Sequence, residues 1–250
     1  MLRKERLSLI MREINLHNKV LSGDLSELLS VSEDTIRRDL HELAEEGLVI
    51  KVHGGAMGKI FEYPIEGQRQ VYALKAKQEI AAKTALLFKK NMTIMVEGGT
   101  TIMEIAKTIP ETLQATFFVL SPQVAITLSE YENIEVISLG GRLTKGAIIH
   151  TGASLVNELA GIKVDLCIVG ANGISLEEGL TDSDWEIVQV VKAMIRCAKK
   201  VAVVSIAEKL NTVQRLKICD LDAINYLITE LSPESPFLSA YCGRQFPTLL

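Results

Sequence analysis

Hydrophobic residues recur at helical spacing in three short segments at the start of the chain. Residues 4–17 carry Leu7, Ile10, Met11 and Ile14 in this pattern. Residues 33–46 carry Ile36, Leu40, Leu43 and Ala44, and a briefer segment between these two carries Leu25, Leu28 and Leu29. Apolar positions at i, i+4, i+7 and i+8 form one face of an amphipathic helix. The pattern therefore predicts three short helices.

Polar residues and glycine mark where these helices begin and end. Ser32 suits the N-cap of the third helix, because its hydroxyl accepts from a free N–H of the first turn. Gly47 suits the left-handed position that follows a helix. Three further features are predicted: a cap at Ser22, a loop through Lys19 and Val20, and a tight turn at Ser30-Val31. Three helices with a tight turn before the last are typical of a helix-turn-helix.

The third predicted helix carries a basic outer face. At about 100° per residue, Arg38 points away from the apolar stripe, with Thr35 and Arg37 on either side of it. Guanidinium and hydroxyl groups in this arrangement suit guanine edges and phosphates of DNA. The alternative is a solvated helix on which Arg38 pairs with Asp34 and Glu42, one turn away in each direction. The flanking elements favour the DNA interpretation.

A strand-like alternation follows this helix. Leu48, Ile50 and Val52 alternate with Val49, Lys51 and His53, and the segment closes at Gly54-Gly55. A period of two that ends in glycine predicts a β-wing. Lys51 or His53 would contact backbone phosphate from this wing.

From about Lys75 the chain alternates between helical spacing and short apolar runs. The predicted strands are residues 92–96, 116–120, 134–139, 164–170, 201–206 and 224–229. This alternation predicts a mostly parallel sheet with helices on its faces. The whole chain is therefore predicted to be an α/β protein with a winged helix-turn-helix in residues 1–57, a linker in 58–74 and an α/β domain in 75–250.

Residues that directly follow strands are candidates for ligand binding, because ligands bind at the carboxyl ends of parallel strands. The run from Glu97 to Thr101 joins the first of these strands to a helix. Gly98 and Gly99 let backbone N–H groups approach an anion, while the threonines add hydroxyl donors and a helix start favours phosphate. An ordinary strand-to-helix turn has the same residues, and spacing alone leaves both interpretations open.

Composition narrows the class of protein. The 250 residues are 48% hydrophobic and 23% charged, which allows a substantial core in one or two domains. There is no apolar run of 18 or more residues and no apolar signal peptide at the start of the sequence. Four widely spaced cysteines, and a single histidine beyond residue 58, predict a cytoplasmic protein with reduced thiols, no metal site and no cofactor.

Charge does not favour DNA binding. The chain has a net charge of −4, and residues 1–58 contain eight Lys and Arg against ten Asp and Glu. A DNA-binding domain usually has a basic footprint. The basic side chains of this segment must therefore lie together on one face. We expect modest non-specific affinity and a dependence on dimers for sufficient phosphate contacts.

The N-terminal motifs resemble those of the DeoR-type bacterial transcriptional regulators. The resemblance is carried by Val31-Ser32, by Thr35 to Leu40, by Gly47-Leu48 and by His53 to Ala56. It implies a winged helix-turn-helix whose third helix reads a double-stranded DNA operator. The predicted DNA-binding residues are Ser32, Thr35, Arg37, Arg38, Lys51 and His53.

Residues 75–230 resemble the DeoR effector domain, whose fold is similar to ribose-5-phosphate isomerase and glucosamine-6-phosphate deaminase. The resemblance implies a phosphorylated sugar or similar metabolite as the effector, with the Gly99 to Thr101 run as its phosphate loop. The predicted effector-binding residues are Glu97, Gly98, Gly99, Thr100, Thr101, Ser121, Gln123, Gly140, Gly141, Arg142, Asn172 and Lys209.

The chain departs from the pattern of this effector domain at three places. Val119-Leu120 replaces a frequent Thr-Asn pair, Ile206 replaces a frequent Asp, and Glu97 replaces a frequent Asp. These changes leave the identity of the effector open, and Arg142 is interpreted as a compensating positive charge. The run from Thr181 to Asp184 is interpreted as a capping box with these two residues as N-cap and N3.

The resemblance implies a repressor of a carbohydrate-utilisation operon that works as a homo-oligomer, a dimer or a tetramer, without a membrane partner. One alternative is a sugar-phosphate isomerase-like enzyme with a DNA-binding appendage, in which Glu97 is the base and Lys209 the electrophile. Fold similarity alone does not establish such an activity. A second alternative is an architectural DNA-binding protein whose C-terminal domain only oligomerises.

Overall fold

The computed structural model describes residues 1–58, 71–144, 147–242 and 247–250. The chain divides into two units, Met1–Tyr72 and Ala73–Leu250. Most of the predicted linker, residues 58–74, falls on residues 59–70 and lies outside the described residues.

The first unit consists of three helices and a small antiparallel sheet. Its elements in chain order are α1 (Arg3–His17), β1 (Lys19–Leu21), α2 (Ser22–Leu29), α3 (Glu33–Glu45), β2 (Val49–Val52) and β3 (Gly55–Gly58). The strand order is β1-β3-β2, with both pairings antiparallel. Ile36, Leu40 and Leu43 of α3 are almost fully buried against α1 and α2. The predicted three helices and β-wing are confirmed.

The bounds of β1 and α2 in this unit differ from the predictions. Lys19 and Val20 form part of β1 rather than a loop, since Val20 pairs with Ala56 across the sheet. A three-residue strand is too short to show a period of two, so its partner in the fold decides its conformation. Leu21, not Ser22, is the N-cap residue of α2.

Two glycines shape the wing. They do not close the segment as predicted, because the chain turns at Gly54 and continues into β3 from Gly55. Gly54 has a φ of +77°, which side chains other than glycine rarely adopt. A Cβ on Gly55 would collide with the backbone carbonyl oxygen of Val20. The hairpin and its pairing with β1 therefore both require glycine.

The second unit has five helices and twelve further strands among the described residues. In chain order they are α4 (Leu74–Ala85), β4 (Met92–Val96), α5 (Thr100–Ala106), β5 (Ala115–Val119), α6 (Pro122–Leu128), β6 (Ile134–Ser138), β7 (Arg142–Leu143), β8 (His150–Thr151), α7 (Ala153–Leu159), β9 (Val164–Gly170), β10 (Gly173–Ser175), β11 (Gly179–Asp182), α8 (Trp185–Cys197), β12 (Ala198–Val204), β13 (Leu216–Cys219), β14 (Tyr226–Ile228) and β15 (Thr248–Leu249). Short 3₁₀ segments occupy Ala207–Lys209, Leu221–Ala223 and Pro236–Tyr241.

Seven of these strands form one parallel sheet in the order β15-β14-β12-β9-β4-β5-β6. The strand order reverses between β4 and β9, because β5 and β6 extend the sheet in one direction and β12, β14 and β15 in the other. The six predicted strands are confirmed, with bounds that shift by up to three residues. The two-residue strand β15 was not predicted.

Smaller antiparallel sheets accompany the parallel one. Strands β10, β11 and β13 form one, and β7 and β8 form another. The predicted capping box is wrong, because Thr181 lies within β11 and Asp184 is itself the N-cap of α8. The Asp184 carboxylate accepts from the N–H groups of Glu186 and Ile187, at the second and third helical positions.

The residues that the structure describes contain neither a membrane-spanning helix nor a metal cluster. No helix there has the length and apolarity to cross a bilayer. No group of His, Cys, Asp and Glu side chains in the same residues is arranged to hold a metal ion. The four cysteines are free thiols, with Cys167 and Cys197 buried.

Candidate functional site

The outward face of α3 presents two arginines to solvent. The side chains of Arg37 and Arg38 are 67% and 80% exposed. Arg37 Nη2 donates to Glu33 Oε2 at 2.6 Å, and Arg38 forms an ion pair with Asp34. Exposed i,i+4 pairs stabilise a helix by only about 0.2–0.5 kcal/mol. Both guanidinium groups are therefore available to a stronger partner.

Two hydroxyl groups lie at the start of the same helix. Ser32 is the N-cap of α3, and its Oγ accepts from the Thr35 N–H at 3.3 Å. The two side-chain oxygens are 2.9 Å apart and share a hydrogen bond. The end of α3 is also as predicted, with Gly47 at φ +70° and the N–H of Leu48 donating to Leu43 O.

A buried ion pair fixes α3 from behind. Arg6 of α1 donates from Nε to Asp39 Oδ2 at 2.6 Å and from Nη2 to Oδ1 at 3.1 Å. The two side chains are 13% and 4% exposed. Sequence reasoning missed this pair. Asp39 lies on the apolar side of α3, three residues after Ile36, and a carboxylate at such a position needs a cationic partner.

The wing places its polar residues at the surface. Lys51 on β2 and His53 in the turn are both exposed. Together with the four predicted residues of α3, they complete the set assigned to DNA binding from the sequence. Their contact with DNA stays a prediction.

The second unit has its polar cluster where the strand order of the parallel sheet reverses. Glu97 follows β4, and its Oε2 accepts from the N–H of Gly170, the last residue of β9, at 2.9 Å. The crevice beyond the carboxyl ends of strands at such a reversal is the usual ligand site of open α/β sheets. The carboxyl of Glu97 thus ties together the two halves of this crevice.

The glycine-rich loop after Glu97 is tightly held. A Cβ on Gly98 would collide with Ile149 and lie 3.0 Å from the Cβ of Ser121. Gly99 has a φ of +93°, a conformation that favours glycine. Thr100 and Thr101 begin α5 and are partly exposed.

Two buried polar atoms at the start of α6 have no hydrogen-bond partner among the described residues: Ser121 Oγ and Gln123 Oε1. Ser121 is fully buried and is the N-cap residue of α6, yet its hydroxyl caps no backbone N–H. A buried hydroxyl without a partner costs about 1–3 kcal/mol. An incoming ligand that bonds it would recover that free energy.

Lys209 reaches this crevice from the 3₁₀ segment after β12. Its Nζ donates to the carbonyl oxygen of Ala171 at 2.9 Å, beside half-buried Asn172. Burial lowers the pKa of Lys209 from 10.5 to about 8, while the nearby carboxylates of Asp182 and Glu97 oppose that change. This lysine is therefore a desolvated cation with two acidic neighbours.

Asp182 is a member of the cluster that sequence reasoning missed. It ends β11, and its Oδ1 accepts from the Asp184 N–H at 2.8 Å. Burial raises the pKa of Asp182, and the charge of Lys209 lowers it. Its position depends on a four-residue strand that the hydrophobic pattern does not reveal.

The remaining predicted effector residues lie farther toward solvent. Gly140 and Gly141 are exposed at the approach to β7, as is Arg142. Arg142 Nη2 lies 3.4 Å from Glu186 Oε2 near the start of α8, and its side chain is 69% exposed. In this conformation its charge is directed to Glu186, and its contact with an effector stays a prediction.

A second depression lies at the other end of the sheet. Its volume is about 720 Å³, and its lining includes Thr112, Glu130 and Asn133. Asn133 directly precedes β6, so the depression lies near the amino ends of the strands. No predicted effector residue lines it.

Replacing Glu97 with glutamine is expected to flatten the pH dependence of stability. Burial raises the pKa of Glu97 from 4.5 to about 8, Asp182 raises it further, and the Gly170 N–H and Lys209 oppose the rise. Between those two pH values the folded chain retains a proton that the unfolded chain has lost, so stability falls as pH rises through the window.

Thermal unfolding of Glu97→Gln between about pH 5 and pH 8 tests this. Its Tm should vary less across the window than that of the wild-type chain. Exposed Glu130 provides the control, and Glu130→Gln should keep the wild-type profile. Identical profiles for all three proteins would contradict the expectation.

Two family models match the sequence. One, described as a DeoR-like helix-turn-helix domain, matches residues 6–58. The other, described as a DeoR C terminal sensor domain, matches residues 73–231.

Curated relatives match nearly the full chain. The HTH-type transcriptional regulator GolR of Listeria innocua is 31% identical over 228 residues, which cover 90% of each chain. The HTH-type transcriptional repressor GlcR of Bacillus subtilis is 31% identical over 239 residues, which cover 95% of this chain and 92% of that protein.

A solved structure of ribose 5-phosphate isomerase A from Methanocaldococcus jannaschii resembles part of the chain. It matches 54% of this chain and 53% of its own, with a TM-score of 0.39 and 21% identity. The chain thus spans about half the length of that structure, and the likeness carries no conclusion about activity.

Proposed function

The chain belongs to the DeoR family of DNA-binding transcriptional regulators, and from that premise we propose that it represses a carbohydrate-utilisation operon until a phosphorylated sugar or related metabolite binds its second unit. Its first unit binds DNA and its second unit senses a small molecule. The chain is a regulator and not an enzyme. Repression, rather than activation, is supported by the similarity to GlcR, which is named a transcriptional repressor.

The proposed DNA contact is insertion of α3 into the major groove. The exposed guanidinium groups of Arg37 and Arg38 support it, because arginine reads guanine bidentately there. Lys51 and His53 on the wing would hold the adjacent phosphates. In a homodimer, or in a tetramer made of two such dimers, two α3 helices about 34 Å apart would read two half-sites.

The unpartnered hydroxyl of Ser121 is the observation that carries the effector proposal. It lies beside the Gly98 loop, at the reversal of strand order where Glu97 and Lys209 also lie. A phosphorylated sugar supplies what this crevice lacks: an anion for the lysine and loop N–H groups, and hydroxyls for the carboxylates and for Ser121.

Release from DNA requires that the effector bind one state of the oligomer more tightly. A ligand with equal affinity for both states shifts nothing, and a full switch needs a difference of about 10⁴-fold. We infer that the effector binds the DNA-free oligomer more tightly than the DNA-bound one. This DNA-free form is in the cytoplasm.

A thermal-shift screen of phosphorylated sugars and sugar acids tests the proposal. At a concentration a hundred times its Kd, a ligand should raise the Tm of the full-length protein by about 5–10 °C. The same compound should release a duplex selected from random DNA by this protein. If no compound shifts the Tm, the proposal fails, and the result favours the alternative in which the second unit only oligomerises. Conversion of the compound to an isomer would also contradict it.

Replacing Lys209 with methionine is expected to weaken effector binding at least tenfold and to leave DNA affinity unchanged. The variant removes a charge-assisted hydrogen bond to the anion, which corresponds to about a tenfold or larger loss. Fluorescence anisotropy of the selected duplex, titrated with the effector, gives both quantities. Lys90→Met, at an exposed position, is the matched control. Wild-type release in Lys209→Met would move the pocket elsewhere.

A further inference from the structure

The amino ends of five strands in the parallel sheet lie level with one another. Ala115 of β5 pairs with Ile134 of β6 on one side and with Met92 of β4 on the other. The pairing of β4 with β9 places Met92 level with Val164, which in turn pairs with Ala198 of β12. The segments that lead into β4, β5, β6, β9 and β12 therefore form one surface, which we call the amino edge.

Lysines precede or begin three neighbouring strands of the amino edge. Lys89 lies in the segment before β4, Lys163 directly precedes β9, and Lys199 is the second residue of β12. All three are exposed. Lys199 Nζ is 2.7 Å from Asp165 Oδ1, whereas Lys89 and Lys163 form no ion pair among the residues that the structure describes. These three lysines define the basic half of the edge.

Glutamates precede the two strands on the other side of the amino edge. Glu111 lies in the segment before β5, and Glu132 lies in the segment before β6. Both are exposed, both line the depression near the amino ends, and neither forms an ion pair within the described part of the chain. Lys107 also lines that depression, but its Nζ is 2.7 Å from Glu104 Oε1. Glu111 and Glu132 define the acidic half of the edge.

Hydrogen bonds fix the two halves next to each other. The N–H of Asn91, which directly precedes β4, donates at 2.7 Å to the carbonyl oxygen of Gln114, which directly precedes β5. Asn133 Nδ2 donates to the carbonyl oxygen of Glu111 at 3.1 Å and joins the segments before β5 and β6. The boundary between basic and acidic charge thus lies between β4 and β5. A surface with both signs at fixed places is complementary to a second copy of itself turned by 180°.

We propose that two copies of this chain dock through the amino edge, with the basic half of each copy against the acidic half of the other. A two-fold axis between β4 and β5 places Lys89 opposite Glu111 of the second copy, and Lys163 opposite Glu132 of the second copy. Each pairing occurs twice, because a two-fold contact uses the same surface of both copies. DNA fits this edge less well, since the acidic half repels its phosphates. The inference goes beyond the proposed function and does not depend on which effector the second unit binds.

Charge reversal on each half tests this docking. Sedimentation velocity of the full-length wild type should show a dimer or a tetramer. The double variant Lys89→Glu, Lys163→Glu should have half the wild-type mass, and so should Glu111→Lys, Glu132→Lys. Each change places like charges opposite each other and should weaken association about a hundredfold or more. The hydrogen bond between Asn133 and Glu111 uses a backbone oxygen, so these substitutions leave it in place.

An equal mixture of the two double variants should return to the wild-type mass, because one copy then offers mostly negative charge and the other mostly positive charge. The control is Lys75→Glu, Arg196→Glu, which reverses two exposed charges outside the amino edge and should keep the wild-type mass.

Three outcomes would overturn the inference: a monomeric wild type, the wild-type mass in either double variant alone, or no recovery in the mixture. Wild-type mass in both double variants would leave the proposed function standing, because the copies would then associate through another surface. Wild-type mass in Lys89→Glu, Lys163→Glu, together with weaker binding of a scrambled duplex, would assign the basic half to DNA instead.

Cross-linking of the wild-type chain covers the case in which a double variant does not fold. A carbodiimide joins a lysine directly to a carboxylate that it contacts. In an equal mixture of ¹⁴N-labelled and ¹⁵N-labelled full-length chains, mass spectrometry should find mixed-isotope peptides that link the basic half to the acidic half. Raising the salt concentration to about 0.5 M should lower their yield about threefold or more, because salt screens exposed charges. Cross-links between the halves only within one chain, or none, would refute the docking.

Discussion

Replacing Arg38 with alanine is expected to weaken binding to the selected operator about a hundredfold or more. Its side chain is 80% exposed, and its ion pair among the described residues is with Asp34 on the same helix. A bidentate arginine–guanine contact contributes about 1–3 kcal/mol to discrimination, and a dimer loses it twice. Fluorescence anisotropy at one fixed salt concentration, with the selected duplex and a scrambled one, measures the loss.

The two duplexes separate base reading from phosphate contact. Arg38→Ala should bring the affinities for the two duplexes closer together, whereas Lys51→Ala should lower both by a similar factor. Arg196→Ala, at an exposed position of α8, is the control for loss of one positive charge. An unchanged isotherm for Arg38→Ala would show that α3 is not the reading helix.

Replacing Asp39 with alanine is expected to lower the Tm of the first unit by roughly 10 °C or more, because it leaves the Arg6 guanidinium in the protein interior without its partner. Two signals separate the two units of the chain. The single tryptophan, Trp185, lies in the second unit, so its fluorescence does not report on the first. Circular dichroism at 222 nm should show an early transition in Asp39→Ala, while the fluorescence transition stays where it is.

Two further variants show whether burial causes this effect. Glu33→Ala breaks the exposed pair with Arg37 and should change the Tm by less than about 4 °C. The double variant Arg6→Met, Asp39→Leu should recover much of the lost stability, because apolar side chains of similar volume often replace a buried ion pair without loss. Equal effects of Glu33→Ala and Asp39→Ala would contradict the argument.

The sequence predicts the first unit well because its core faces are amphipathic. Ile36, Leu40 and Leu43 are buried as their spacing requires, and Ser32 and Gly47 bound the helix. The pairing of Asp39 with Arg6 was not predictable in the same way. The two residues are 33 positions apart, and only the packing of α1 on α3 brings them together.

Long apolar runs predict the parallel sheet for a similar reason, since its strands are buried on both faces. The antiparallel strands β10, β11 and β13 have no more than four residues each, which is too short for a pattern to emerge. Asp182, the member of the polar cluster that was missed, depends on such a strand. Leu120 and Ile206, where the family pattern is polar, are buried in the core, so apolar packing accommodates these departures.

The position of β9 next to β4 also determines when the sensor becomes complete. Glu97 and Gly170, which meet across that junction, are 73 residues apart in the sequence. The whole DNA-binding unit therefore emerges from the ribosome well before Gly170 is made. Its contacts are mostly local and form quickly, whereas the crevice needs both Glu97 and Gly170. A newly made chain therefore passes through a stage at which its DNA-binding unit is complete and its sensor domain is not.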